Sequence, residues 1–103
     1  MNKIRRSGKF YVYIVECGDN TFYTGYTNNL EKRLKEHNDG KRGARYTRYK
    51  RPVKLVWEKE YRQFKPAFKL EKIIKQLTRS QKESLVNGRR LDKVLLDAGI
   101  KRR

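Results

Sequence analysis

The sequence predicts an α+β fold, a small sheet covered by helices, with elements in the order ββαβαα. Three features carry this expectation. An aromatic and β-branched run meets a second such run across a short polar turn, as the two arms of a hairpin do. A third alternating segment follows a capped helix. Beyond it, apolar stripes recur at helical spacing between capping and stopping residues.

Taken in order, "FYVYIVEC", residues 10–17, contains no breaker and reads as the first strand. "GDN" is turn chemistry, with Gly18 suited to a positive φ and Asp19 and Asn20 able to bond back to the chain. "TFYTGYT" is the antiparallel partner. Asn28 suits the cap of a first helix, and Glu31 three residues on gives a capping-box-like pattern. That helix runs to about His37, where "NDG" stops it. Residues 39–52, "DGKRGARYTRYKRP", hold two Gly and a Pro without apolar periodicity, and read as a loop. In "VKLVWEKEY", 53–61, the alternation of Val53, Leu55 and Trp57 marks a third strand. Pro66 fits the first turn of a helix over about 65–76. Thr78 and Gln81 form a capping box for a short helix ending near Asn87-Gly88, and a last helix, about 90–98, ends at Gly99.

Composition narrows the function. The 103 residues suit one domain with basic tails at both ends. Twenty-eight Lys and Arg against eleven Asp and Glu give a formal net charge of +17, a field that favours polyanions and above all nucleic acid. No segment approaches the length of a spanning helix, so a membrane is not expected as a partner. The amino-terminal "MNKIRRSGKF" lacks the apolar run of a secretory signal. Cys17 is the only cysteine, which excludes an internal disulfide. A cytoplasmic protein is the expectation.

Candidate chemistry is unevenly spread. On the first helix Leu30, Leu34 and His37 define the inward stripe, and Arg33 lies against it rather than with Glu31, Lys32, Lys35 and Glu36. Arg33 is then either a guanidinium held for phosphate or a snorkelling side chain with its stem on the core. Tyr11 and Tyr13 share one face of the first strand, and Tyr23 and Gly25 share one face of the second. These phenols are either an ordinary half-buried patch or groups set beside a cation, with Gly25 admitting a close approach. Glu71 flanks the stripe of Ala67, Leu70, Ile74 and Leu77. It suits either an i, i+4 pair with Lys75 or a single carboxylate for a hydrated Mg²⁺. In the 41–54 loop, Lys41, Arg42, Arg45, Arg48, Lys50 and Arg51 interleave with Tyr46 and Tyr49, a pattern suited to phosphates and stacked bases.

Tyr11-Val12-Tyr13, Tyr23-Thr24-Gly25, Arg33 in "LEKRLKEH" and Glu71 in "FKLEKIIKQLT" occur in an order that resembles the GIY-YIG nuclease domain, over roughly residues 9 to 88. The chain looks closest to stand-alone bacterial members, which are similar to structure-specific resolvase catalytic subunits. The amino-terminal nuclease domain of the excinuclease is a more distant likeness. The resemblance implies a three-stranded antiparallel sheet flanked by helices and a metal-dependent endonuclease of DNA, acting on branched, nicked or damaged sites. It implies Tyr13 as general base or water-orienting group, Tyr23 as support for the water or phosphate, Arg33 as phosphate clamp and Glu71 as ligand of one Mg²⁺ or Mn²⁺. It also implies a secondary phosphate contact at His37 and a further site residue at Asn87. Target choice would fall to a protein partner.

Two positions depart from the family pattern. Tyr11 replaces the first glycine, and Tyr26 stands where some relatives carry a lysine. A tyrosine base also needs its pKa lowered from about 10 by neighbouring cations. A non-catalytic nucleic-acid-binding module on the same fold is the main alternative, and a basic ribosome-associated or structural protein a third.

Overall fold

A computed structural model describes residues 9–39 and 50–100. It contains strands β1 (Phe10–Glu16), β2 (Phe22–Thr27) and β3 (Lys54–Tyr61) and helices α1 (Leu30–Asp39), α2 (Phe64–Lys75), α3 (Arg79–Val86) and α4 (Leu91–Asp97). The order is ββαβααα: the last helix falls where it is expected, near 90–98, and is the seventh element that the order ββαβαα leaves uncounted. The tails at 1–8 and 101–103, and the loop at 40–49, lie outside the described residues.

The sheet is antiparallel throughout, in the order β2-β1-β3. The most apolar strand is therefore central, with Val12, Tyr13, Ile14 and Val15 each no more than 1% exposed. Alternation along β1 divides these residues between two cores. Val12 and Ile14 join Ala67, Leu70, Ile74, Leu77, Leu85, Val94 and Leu95 beneath α2, α3 and α4. Tyr13 and Val15 join Cys17 and Val53 on the opposite face, covered by Leu30 and Leu34 of α1. Helices thus flank both faces.

The expected alternation of β3 fails at one place. A register shift opposite Ile14 and Val15 pairs Ile14 with Trp57 but Val15 with Leu55. Val56 is the extra residue. Val53 and Leu55 face the α1 core, whereas Val56 and Trp57 pack on the α2–α4 core. A bulge adds one residue to one strand and so reverses the side-chain phase beyond it.

Both ends of the hairpin also refine the sequence reading. Asn20, at φ 70°, takes the left-handed conformation expected of Gly18. Gly18 is instead required by space: a Cβ there would stand 2.6 Å from the Arg51 carbonyl oxygen, and its N–H donates to the Lys50 carbonyl at 2.6 Å. The Asp19 carboxylate accepts from the Thr21 N–H and hydroxyl, closing the turn. Asn29, not Asn28, caps α1 by accepting the Lys32 N–H at 3.1 Å. At the other end of α1, Asn38 does more than stop a helix. Its side chain donates to the Val53 carbonyl (3.0 Å) and accepts the Val53 N–H (2.7 Å), locking α1 to the start of β3.

Thr78 caps α3 through the expected box: its hydroxyl accepts the Gln81 N–H and the Gln81 side chain accepts the Thr78 N–H. Arg79 then ties α3 to the hairpin turn, with its guanidinium 4.3 Å over the Phe22 ring and donating to the Asn20 carbonyl. Replacing Thr78 with Ala is expected to destabilise the protein by about 1 kcal/mol, the usual cost of losing such a cap. Urea unfolding followed by circular dichroism measures it, and an unchanged midpoint would deny the cap that weight.

Candidate active site

The site begins with a missing side chain. In the β1–β2 ladder Tyr13 lies directly opposite Gly25, and a Cβ on Gly25 would meet the Tyr13 Oη at 2.6 Å and Cζ at 2.8 Å. The Tyr13 ring therefore occupies the volume that any other residue at 25 would fill. From the sequence alone Gly25 is open to backbone or substrate; in the structure a neighbouring phenol takes the space. So laid across β2, Tyr13 reaches α1, where its Oη is 2.9 Å from His37 Nε2. The His37 ring, fully buried, meets Tyr13 and Tyr23 edge-on with centroids 5.8 and 5.4 Å away.

Burial governs the protonation of this pair. It pushes the Tyr13 phenol up to about 12, against the pull of the Arg33 guanidinium, which bonds to it. It also holds His37 down to about 4, helped by the positive charge of Arg33 and Arg51 and opposed by Glu36. At neutral pH both rings are uncharged. A guanidinium only donates, so the phenol oxygen accepts from Arg33, while the direction of the Tyr13–His37 bond follows the imidazole tautomer. Burial thus disfavours a phenolate at Tyr13: the cation needed to depress its pKa is present, and desolvation outweighs it.

Arg33 sits at the border of core and solvent, as its place on the helix predicts, with its side chain 25% exposed. Glu36, expected to point away, bridges it at 3.0 Å. Burial works against the Arg33 cation, but the bonds to Tyr13 and Glu36 outweigh that and its pKa is raised. Arg51 donates from Nε to the His37 carbonyl at 2.7 Å, bracing the end of α1.

Glu71 comes from the opposite layer, on α2. β2 is an edge strand, and the Glu71 carboxylate lies close enough to act electrostatically on Tyr13. Only 9% of Glu71 is exposed, and its Oε2 bridges Lys75 Nζ at 2.8 Å. Of the two alternatives for Glu71, the i, i+4 pair with Lys75 is thus formed. Lys75, missed as a site residue by the sequence reading, is raised in pKa first by its bond to Glu71 and also by Tyr23 and Tyr26. The signal was present in the spacing but pointed to an ordinary surface pair.

The remaining expectations divide. Tyr26 does not enter the Tyr13 cleft; its side chain falls on the α2 face, against Phe64 and Phe68. Asn87 ends α3 as its exposed C-cap, and no interaction links it to the cleft among the described residues. Lys50 and Arg51 have internal partners, Lys50 bridging Asp19 at 3.1 Å. Lys41, Arg42, Arg45, Tyr46, Arg48 and Tyr49 lie outside the described residues.

For a divalent ion, the described residues contain no group of three His, Cys, Asp or Glu side chains. Glu71 offers one carboxylate, whose Oε2 pairs with Lys75. A single carboxylate fits an ion that keeps most of its waters.

Arg33, Tyr23 and Glu71 all act electrostatically on Tyr13, and a family model described as the GIY-YIG catalytic domain matches residues 9–84. The chain belongs to the GIY-YIG family. This is a family of nuclease domains, whose members generally depend on a divalent metal. Among stand-alone GIY-YIG relatives, a UPF0213 protein of Syntrophus aciditrophicus is 51% identical over 78 residues, covering 76% of this chain and 90% of that one. The UPF0213 protein YazA of Bacillus subtilis is 45% identical over 83 residues, covering 81% and 83%. The solution structure of the UPF0213 protein BH0048 from Bacillus halodurans superposes with a TM-score of 0.52 at 36% identity, covering 90% of this chain and 99% of that one. No helix among the described residues is long and apolar enough to cross a membrane.

Two predictions test the phenol–imidazole pair. Gly25→Ala is expected to displace the Tyr13 ring and cost about 1–3 kcal/mol, as overpacking does. In the same variant the His37 NMR titration should move back toward the ordinary histidine range; an unmoved titration would show that the pair survives. The second concerns pH. His37 has a depressed folded pKa, so its neutral form contributes stability that is complete above about 6.5 and is lost as pH falls toward about 4. Unfolding free energies measured between these limits should fall with pH by about 3 kcal/mol at most. His37→Leu should flatten that slope, and an equal slope in the variant would assign it elsewhere.

Proposed function

We propose that this protein is an endonuclease that hydrolyses DNA phosphodiester bonds with one divalent ion, at branched, nicked or damaged sites. The observation that supports this best is that Arg33, Tyr23 and Glu71, from three different elements, all act electrostatically on Tyr13, in a chain of net charge +17. In the reaction a water attacks phosphorus, one P–O ester bond breaks, and the leaving oxygen takes up a proton. Glu71 would hold the ion, Mg²⁺ or Mn²⁺, which when bound would supply Lewis acidity. Arg33 meets the phosphate charge with two parallel N–H donors. Tyr23, half-buried, is the phenol that orients water or a phosphate oxygen.

Tyr13 has a different role from the one its motif suggests. At 1% exposure and with burial raising its pKa, it is ill-suited to serve as the base. Tyr13 and His37 instead hold the guanidinium in place from behind. Lys75 provides a cation beside Glu71, near the place where some relatives carry a lysine in the strand. The proton of the attacking water then leaves through solvent at the open side of the cleft.

In the resting protein Arg33 and Glu71 are each engaged, by Glu36 and Lys75. That favours a second reading, a DNA-binding module without catalysis, in which these pairs never exchange for phosphate and metal. Cleavage of nicked, flap and four-way DNA with Mg²⁺ or Mn²⁺ separates the two. Arg33→Ala and Glu71→Ala should each lower the rate about a hundredfold or more, the scale of losing one electrostatic contact to a transition state. A wild type that cuts no DNA faster than these variants leaves the binding module.

A further inference from the structure

Outside the cleft, the largest departure from ordinary surface chemistry is an exposed aromatic cluster on the α2 face. Phe64, Phe68 and Tyr26 are 44%, 37% and 37% exposed, in a chain that is only 36% hydrophobic. The rings form a contiguous group. Phe64 and Phe68, one helical turn apart, stack with centroids at 5.3 Å and planes 17° from parallel. Tyr26 meets both edge-on at 5.7 and 5.8 Å, and Phe10 meets Phe64 at 5.8 Å. Phe10 and Phe22 serve the buried core beside them, whereas Phe64, Phe68 and Tyr26 are absent from it.

The rim of the cluster is cationic. Arg62, Lys65, Lys69 and Lys72 are exposed around it, and the Lys72 ammonium lies 4.6 Å over the Phe68 ring. The only carboxylate on α2 is Glu71, already paired with Lys75. An apolar protein partner would cover the rings but leave these lysines facing it unpaired. A nucleic acid strand satisfies both, since every base has a π-face and every nucleotide a phosphate. The cluster also continues into the cleft: Phe68 is one turn from Glu71, Tyr26 follows Gly25, and Lys75 feels both Glu71 and Tyr26.

We propose that Phe64, Phe68 and Tyr26 form a stacking platform for unpaired nucleotides of a DNA strand whose phosphates lie on Lys65, Lys69 and Lys72. The platform rests on the nuclease reading for the identity of the polyanion. It makes unpaired bases beside the cut, as in a flap, gap or branch, the feature the protein selects.

The test is binding in chelator, without cleavage. Fluorescence anisotropy at fixed salt compares short oligothymidine with a blunt duplex, because charge alone attracts both. Phe64→Ala and Phe68→Ala are each expected to weaken the single strand about tenfold, the scale of one lost stacking contact. Duplex affinity should change less than about twofold. Phe64→Trp should restore single-strand binding, with indole fluorescence quenched as the oligonucleotide is added. Unchanged single-strand affinity in well-folded alanine variants overturns the platform, as does an equal loss on both DNAs. A wild-type dimer that Phe64→Ala dissolves would make the patch an interface between copies. Binding to phosphatidylserine vesicles, lost in the same variants while DNA binding persists, would make it a membrane contact. A protein that binds through the rings but cuts nothing would remove the nuclease reading and keep the platform. One that cuts flaps equally fast with both phenylalanines replaced would remove the platform alone.

Discussion

The arrangement of the site depends on an absent Cβ. At Gly25 the Tyr13 ring crosses β2 at a distance no other residue there permits, and only from that position does its Oη meet His37. His37 in turn fixes the inward face of α1, and that helix carries Arg33. Asn38 and Arg51 secure the same helix end from the start of β3 and from the segment before it. A guanidinium on a long side chain is ordinarily mobile. Here the helix beneath it, the phenol behind it and Glu36 beside it all restrict it.

This arrangement changes what the first-strand tyrosine does. A phenol is a base only as phenolate, and a buried phenolate beside a buried neutral imidazole costs more than one cation returns. Tyr13 is therefore bound up with Arg33 and His37, while Tyr23 is the more exposed of the two phenols. The electrostatics are otherwise balanced in pairs, Arg33 with Glu36 and Glu71 with Lys75. In the proposed reaction Arg33 would exchange Glu36 for phosphate, and Glu71 would exchange Lys75 for the ion.

The α2 helix links two surfaces. Its buried stripe of Ala67, Leu70 and Ile74 anchors it on the sheet. One flank turns Glu71 and Lys75 to the cleft, and the adjoining one exposes Phe64 and Phe68 with their lysine rim. Helical periodicity thus sets the cleft and the aromatic cluster a fixed distance apart, and their relative position does not depend on a loop.

Much of this was legible in the chain. The hairpin, the capping boxes and the stripes of α1 and α2 are local or periodic, and residues four apart on a helix share a face whatever surrounds them. Hence the element order, the place of Arg33 at the core's edge and the Glu71–Lys75 spacing could be read directly. The motif residues also identified the family. Tertiary structure decided what depends on partners distant in sequence. The β3 bulge sent Trp57 to the face opposite Leu55, because a bulge arises from how two strands pair. Gly25 was reserved for Tyr13 by the cross-strand register, and Glu36 turned to Arg33 rather than to solvent. Tyr26 faced Phe64 and Phe68 because strand alternation put it on the side where α2 packs. Burial, finally, kept Tyr13 and His37 neutral, and burial is a property of the assembled layers that no single segment possesses.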